Sequence, residues 1–247
     1  MSDPKLWWDG LPLVTKTFFG GMFAVTVAAN FGILPPMMLI LDFDLVWRRF
    51  QVWRLFTSVF FYGKLGFPFL TWLYFLYSYS LRLEQEHFSR RTADYIYAVL
   101  IVWMVMLVIG YVFDLMLINV PMILAIVYIW SSANQELIVN FWFGITFQAM
   151  YFPWVLLAFG ILTGQSNGMP ELMGIFAGHC YFFLKTKYPR DFGGPDLLET
   201  PQFLRNLFPE EERERARSFG VPPGARAGND GGAPRFGGWG QGRRLGD

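Results

Sequence analysis

The chain has 247 residues, of which 54% are hydrophobic, 19% aromatic and 16% charged. Because a soluble domain carries about a quarter charged residues, this composition excludes an ordinary water-soluble fold. The net charge of +1 gives no indication of nucleic-acid binding, and no basic face is long enough to suggest it. The single cysteine, Cys180, excludes an intrachain disulfide and gives no support to a metal site.

Charge is unevenly distributed along the chain. No Lys or Arg lies between Arg91 and Lys185, whereas the part from Lys185 onward holds eleven of the twenty basic residues. An apolar body followed by a charged, Gly- and Pro-rich tail is typical of a membrane domain with a water-exposed appendage. The start lacks the basic segment and short apolar core of a cleavable signal peptide, so we expect the first span to direct its own insertion.

Six apolar segments are predicted to be membrane spans, which need roughly 20 residues to cross the hydrocarbon as a helix. The third is the clearest, while the second and sixth lie at or below the length limit. The predicted fold class is therefore an all-α membrane protein with a bundle of six transmembrane helices. The predicted spans are residues 18–41, 67–83, 95–113, 115–133, 147–162 and 171–184.

The first loop, residues 42–66, does not fit a span. Residues 45–54 interleave aromatic side chains with arginines. This pattern predicts a helix in the membrane interface, with guanidinium groups at the headgroups and indoles just below them. The alternative is an ordinary basic loop with aromatic anchors.

Basic residues in the short loops predict that both termini are cytosolic, because cytosolic loops carry an excess of Lys and Arg. Lys5 and Lys16 precede the first span, Arg91 follows the second, and Lys185 follows the sixth. The exception is the first loop, whose basic residues fall on the opposite side. So concentrated an exception indicates that this loop is embedded and specialised.

The chain therefore divides into a cytosolic N-terminal segment (1–17), a membrane domain (18–184) and a cytosolic tail (185–247). Pro189 and the Gly and Pro residues after it are expected to break any helix that continues past Lys185. From Gly220 onward the composition predicts disorder. Within that part, residues 236–246 carry spaced apolar side chains, which is typical of a short motif that folds on a partner.

Gly174 and Gly178 form a G-x-x-x-G pair in the sixth predicted span. Such a pair lets two helices approach closely. Because these pairs also occur often by chance in apolar helices, ordinary internal helix packing is the simplest interpretation.

The sequence contains no group of residues typical of the active site of a soluble enzyme, and we predict no cofactor and no metal. The two histidines, His87 and His179, are too far apart in sequence to suggest a metal pair. Four acidic residues lie at predicted helix ends, where caps and solvated edges are more common than catalytic acids. None lies clearly at mid-depth, which argues against a proton-coupled transporter. These residues are Asp94, Asp114, Glu136 and Glu171.

Several separated blocks resemble the derlin family, and the chain looks closest to the derlin-1 branch. The resemblance extends over nearly the whole chain and ends in that branch's C-terminal motif. Trp53 and Arg54 look like the first-loop signature that derlins share with rhomboid proteins. The similar blocks are residues 49–54 (RFQVWR), 74–77 (YFLY), 82–84 (RLE), 93–95 (ADY), 141–144 (FWFG), 179–183 (HCYFF), 200–204 (TPQFL) and 239–247 (WGQGRRLGD).

The resemblance implies a rhomboid-like six-helix fold in the endoplasmic reticulum membrane, without protease activity. Rhomboid proteases use a Ser in a Gly-x-Ser-Gly turn and a His three residues before their G-x-x-x-G pair. Here Ser131 and Ser132 lack such glycines, Glu171 occupies the His position, and His179 follows the pair. A serine without a correctly placed base is not activated, so the dyad is expected to be absent.

By the same resemblance, the chain is a non-catalytic component of endoplasmic-reticulum-associated degradation. Derlins help misfolded lumenal and membrane proteins return to the cytosol. The tail motif resembles the box that binds valosin-containing protein, the ATPase that supplies the pulling force. A membrane ubiquitin ligase and further derlin copies, in homo- or hetero-oligomers, are the other expected partners. The implied ATPase contacts are Phe236, Trp239, Gly240, Gln241, Leu245 and Gly246.

Two alternative functions stay open from the sequence. The protein could tether the ATPase to a ubiquitin ligase without forming the conduit, or it could be an active intramembrane protease. For the return of misfolded proteins to the cytosol, the function that the resemblance implies, we expect a physical mechanism based on the bilayer. Short second and sixth spans would favour thinning, and arginines in the first loop would draw water and headgroups inward.

Overall fold

The computed structural model describes residues 4–88, 91–141, 144–164, 166–195 and 197–208. Within these residues the chain is helical, as predicted, apart from one short β-hairpin. The elements in chain order are α1 (Pro4–Asp9), α2 (Leu13–Asn30), α3 (Phe43–Arg49), α4 (Trp53–Phe60), α5 (Phe67–Arg82), α6 (Thr92–Phe113), α7 (Asn119–Ala133), β1 (Ile138–Asn140), β2 (Thr146–Gln148), α8 (Phe152–Leu162), α9 (Met169–Phe182), α10 (Tyr188–Phe192) and α11 (Gln202–Leu207).

A helix occupies each of the six segments predicted as spans, but the first boundary was wrong. Helix α2 ends at Asn30 rather than Leu41. Gly32 has a φ of +76°, and the prolines at 35 and 36 have no N–H to donate. The side-chain amide of Asn30 donates to the Gly63 carbonyl over 2.7 Å, which holds the end of α2 against the loop between α4 and α5.

The apolar surface of α6 identifies it as a membrane helix rather than a core helix. Helices α2 and α6 are each long and apolar enough to cross a membrane, and α7 and Ala149–Leu162 are shorter apolar helices. Only 28% of the most apolar stretch of α6 is buried inside the protein. A continuous exposed apolar surface needs a non-aqueous neighbour. Its large exposed side chains are Leu100, Met104, Val108, Tyr111, Val112 and Phe113.

Helix α7 is the centre of the bundle. Most of its side chains are buried on all sides, which is expected of a helix that is hydrophobic all round. It contacts α4, α5, α6, α8 and α9, and its contact with α9 is the most extensive between any two described elements. These five helices are therefore arranged around α7.

Two glycines allow α9 to lie directly on α7. A methyl group on Gly174 would collide with the backbone of Pro121, and one on Gly178 would lie 2.8 Å from the Ala125 carbonyl oxygen. The backbones of α7 and α9 are thus in direct contact at Gly174 and Gly178. Such an approach is open only to very small residues.

Helices α5 and α9 continue into π-helical turns at Leu83–His87 and Phe183–Lys187. After the second turn the chain runs directly into α10, so the helix ends at Phe192 rather than near Lys185. Pro189 does not break it and is the second residue of α10. Gly193, with a φ of +62°, ends the helix instead.

The first part of the tail returns to the bundle. Leu204 on α11 is buried, and Arg205 forms an ion pair of 3.7 Å with Asp94 in the first turn of α6. The Lys185 ammonium donates to the Leu198 carbonyl over 2.8 Å. This docking of α11 was not predicted from the sequence.

The contact between α7 and α9 can be tested by adding one methyl group. Gly178→Ala should lower the free energy of unfolding by about 1–3 kcal/mol, because a tightly packed core resists added volume. The measurement is the thermal unfolding midpoint in detergent. Gly160→Ala on α8 is the matched control, since its methyl would meet nothing closer than 3.8 Å. Equal midpoints for both variants would contradict the close contact.

Candidate functional site

The first loop forms two short helices, α3 and α4, rather than one interface helix. The Asp42 carboxylate caps α3 by accepting from the Leu45 N–H over 3.1 Å. Phe50 has a φ of +52° and ends α3. This break changes the direction of the chain between the first arginines of the loop and Arg54. The two parts of the predicted helix therefore have different surroundings.

Arg54 lies inside the protein, not at the headgroups as predicted. It is 4% exposed. Its Nη1 donates to the carbonyl oxygens of Met37 and Ile40 over 2.7 and 2.9 Å, and its Nε donates to Gln51 Oε1 over 2.7 Å. The turn at Pro36–Met38 presents carbonyls without helical partners, and a guanidinium can satisfy several at once. Arg54 thus holds this turn against α4.

The outward side of the first loop does have the aromatic and basic character expected at an interface. Trp47 and Phe50 are 74% and 82% exposed, and Trp53 is about half exposed. Arg48 is exposed and lies 3.9 Å from Asp44. Indole rings next to exposed arginines are suited to the boundary between headgroups and hydrocarbon. The interface interpretation therefore applies to the outward side of the loop, but not to Arg54.

A buried carboxylate at the other end of α2 was missed by the sequence analysis. Glu84 is fully buried and accepts from the N–H groups of Val14 and Thr15 over 3.1 and 2.9 Å, and from the Thr15 hydroxyl over 2.8 Å. These N–H groups have no partner within the helix, and the helix dipole favours a negative charge there. Ser80 continues the network to Tyr95 over 2.8 Å, so α2, α5 and α6 are joined.

His179 is paired with a phenol. Its Nδ1 lies 2.7 Å from the Tyr128 hydroxyl. The Ser131 hydroxyl, which is buried, donates to the Tyr128 carbonyl three residues earlier over 2.9 Å. In the part of the chain that the structure describes, the hydroxyl that reaches this histidine is therefore that of Tyr128.

A polar cavity of about 300 Å³ lies at the opposite end of α7 from Ser131. Asn119, the first residue of α7, and Glu171, in the first turn of α9, both line it and are 3% and 4% exposed. The Ser166 hydroxyl donates to Glu171 Oε2 over 2.5 Å. Glu171 does lie at a helix end, as predicted, but it is buried rather than solvated, because the packing of α9 on α7 takes it out of water.

Other predicted site residues are separated from this cavity or lie outside the described part of the chain. Gly174 and Gly178 lie in the contact between α7 and α9, and Trp53 and Arg54 lie in the first loop. Residues 236–246, with all six predicted ATPase contacts, lie outside the described residues. Among the described residues, no three His, Cys, Asp or Glu side chains are close enough together to hold a metal ion.

The exposed apolar surfaces of α2 and α6, both long enough to cross a membrane, indicate a polytopic helical membrane protein. Residues 11–202 match the Der1-like family. The chain is 41% identical to Derlin-1 of Mus musculus and 40% identical to Derlin-1 of Homo sapiens, covering 100% of each chain. Derlin-1 of Drosophila melanogaster is 37% identical over 99% of each chain. The chain therefore belongs to the Der1-like, or derlin, family.

The family predicted from the separated sequence blocks is thus confirmed. Family membership makes the chain a membrane protein of the endoplasmic reticulum. It also gives the chain a non-catalytic role of the derlin type in endoplasmic-reticulum-associated degradation.

The internal role of Arg54 leads to a stability prediction. Arg54→Leu should lower the free energy of unfolding by about 3 kcal/mol, because the carbonyls of Met37 and Ile40 would be buried without a donor. Arg48→Leu is the matched control, since Arg48 is exposed. Thermal unfolding in lipid nanodiscs measures both. An equal effect of the two substitutions would show that Arg54 acts only as a surface charge.

Proposed function

We propose that this protein helps misfolded lumenal and membrane proteins return to the cytosol, and that it recruits valosin-containing protein through residues 236–246. The observation that carries the proposal is similarity to Derlin-1 proteins along 100% of both chains. This similarity covers the tail as well as the helical body. We further infer that the protein acts next to a membrane ubiquitin ligase and in an assembly with other derlin copies.

We infer six membrane spans, formed by α2 and α5 to α9, with both termini in the cytosol. Two contacts support an even number of spans. The Trp7 indole in α1 donates to the Tyr77 hydroxyl near the end of α5 over 3.2 Å, and Arg205 in α11 pairs with Asp94 at the start of α6. Both described ends of the chain therefore pack at the same end of the bundle.

We infer that the protein lacks a Ser/His dyad. The pairing of His179 with Tyr128 and the bond from Ser131 to a backbone carbonyl support this. A nucleophilic serine needs a base within hydrogen-bonding reach.

The lengths of the helices support a mechanism in which the bilayer thins around the protein. At 1.5 Å per residue, α8 is about 16 Å long and α5 about 24 Å long, against about 30 Å of hydrocarbon. Helix α8 has 11 residues and follows directly on the three-residue 3-10 turn Ala149–Tyr151, so the fifth span is short as well as the second and sixth, which the sequence had singled out. The second and sixth are extended by π turns, and the sixth also by α10. A thin bilayer lowers the barrier to moving a polar polypeptide across.

Lengthening α8 tests the conduit function directly. Insertion of seven apolar residues after Leu162 adds about 10 Å and leaves the packed face of α8 in phase. We expect client extraction to fall several-fold while ATPase recruitment is unchanged. The measurement is proteasome-dependent turnover of a misfolded lumenal protein.

A seven-residue Gly/Ser insertion at the same position is the control, because it lengthens the loop and not the apolar span. Normal extraction by the apolar insertion would remove the thinning mechanism. Together with intact recruitment, it would favour the tether function over the conduit.

The docking motif is tested by two substitutions in the tail. Trp239→Ala and Leu245→Ala should each reduce co-purification of valosin-containing protein by about tenfold or more, because buried aromatic and apolar anchors carry most of the energy of an interface. Val221→Ala, in the same tail but outside the motif, should have no effect. Unchanged recruitment by truncation before Phe236 would place the ATPase contact elsewhere.

A further inference from the structure

The cavity of about 300 Å³ at the N-terminal end of α7 is built from five separate segments of the chain. Asn119 begins α7, Glu171 lies in the first turn of α9, and Ser166 lies in the loop between α8 and α9. Tyr62 follows α4, and Trp72 lies on α5. Asn119, Trp72 and Glu171 are buried, whereas Tyr62 and Ser166 are half-buried and form part of its rim.

The cavity presents one buried hydrogen-bond acceptor that the described residues do not satisfy. The Asn119 side-chain amide donates to the Val59 carbonyl, which orients the group and leaves Oδ1 buried without a partner. The Glu171 carboxylate lines the same cavity, and its Oε2 accepts from Ser166. Burying an acceptor without a donor is unfavourable. A ligand that brings a donor to Asn119 Oδ1 removes that cost.

The acidic side chain of Glu171 limits the class of ligand that the cavity can bind. Glu171 is acidic, and none of the residues that line the cavity is basic. A cation with several donors therefore fits better than a neutral or anionic group, and an ammonium has three donors in a compact head. A volume of about 300 Å³ is the lower limit for a ligand pocket, which suits one side chain and not a folded domain.

At the rim of the cavity, the Tyr62 hydroxyl can donate a hydrogen bond to a peptide backbone. Burial, and then the nearby Glu171 carboxylate, raise the pKa of Tyr62 to about 12. Its hydroxyl is therefore protonated at the pH of a cell compartment and can donate to a carbonyl. A side-chain ammonium inside the cavity and a backbone carbonyl at Tyr62 are both available from one lysine residue in an extended polypeptide.

We propose that this cavity binds the ammonium group of a lysine side chain in an unfolded client polypeptide. Asn119 Oδ1 and the Glu171 carboxylate accept from the ammonium, and Ser166 orients Glu171. The identity of the client and the lumenal position of the cavity rest on the function and topology proposed above. The cavity gives a derlin a chemical means of holding an unfolded segment at the end of the bundle where the short α8 ends.

The test uses the full chain in liposomes, with a photoreactive residue replacing Val120 at the rim. Three unstructured peptides differ only at one central position, which is lysine, acetyl-lysine or leucine. We expect the lysine peptide to crosslink with an affinity about tenfold or more above the other two, as for a buried charge-assisted pair. Glu171→Gln should abolish this preference, because it keeps the shape of the side chain and removes the charge.

Glu136→Gln is the matched control, since Glu136 is exposed and lies beyond the other end of α7; it should keep the lysine preference. If Glu171→Gln fails to fold, the three peptides on the unsubstituted protein still decide the matter. Equal crosslinking of lysine and acetyl-lysine peptides overturns the proposal. So does a lysine preference that survives Glu171→Gln in a folded protein.

Extraction and ATPase recruitment, measured on the same preparations, separate this inference from the proposed function. If the unsubstituted protein shows no lysine preference but extracts clients normally, the cavity site is rejected and the proposed function stands. A clear lysine preference in a protein that neither extracts clients nor recruits the ATPase supports the cavity site and rejects the proposed function.

Discussion

Hydrocarbon offers no hydrogen bonds, so the polar groups at the ends of the helices must find partners within the protein. At the start of α2, the buried carboxylate of Glu84 accepts from the N–H groups of Val14 and Thr15. In the turn after α2, the guanidinium of Arg54 donates to two carbonyl oxygens. Glu84 thus fixes the start of the first long helix, and Arg54 fixes the turn at Pro36–Met38 that follows it. These bonds explain why Glu84 and Arg54 are buried in a largely apolar body.

With α2 held in this way, the remaining helices pack around α7. The backbone contact at Gly174 and Gly178 draws α9 onto α7, and the first turn of α9 carries Glu171 into the interior. The same contact creates the polar cavity between Glu171 and Asn119. Packing that shortens the distance between two helices thus also determines which polar groups meet at their ends.

The function that we propose uses this rigid core together with features at its boundary. Helix α8 is too short to span an undisturbed bilayer, and the first loop presents Trp47 and Arg48 on its outer side. In the proposed mechanism both features would disturb lipid locally, while buried hydrogen bonds would keep the core closed. The ATPase recruited by the tail would pull the client polypeptide toward the cytosol through the thinned bilayer. The body and the tail therefore contribute different parts of one process.

The sequence by itself determined the family, the helical class and the positions of six apolar helices, because these depend on composition, on apolar run length and on motifs that are local in the chain. It could not determine which charges are buried. Glu84 and Glu171 resemble ordinary residues at helix ends, and Arg54 resembles its exposed neighbour Arg48. Only the tertiary structure decided their surroundings, because burial depends on which distant segments pack together. The cavity is the clearest case, since Asn119 and Glu171 are 52 positions apart and meet only where α9 lies on α7.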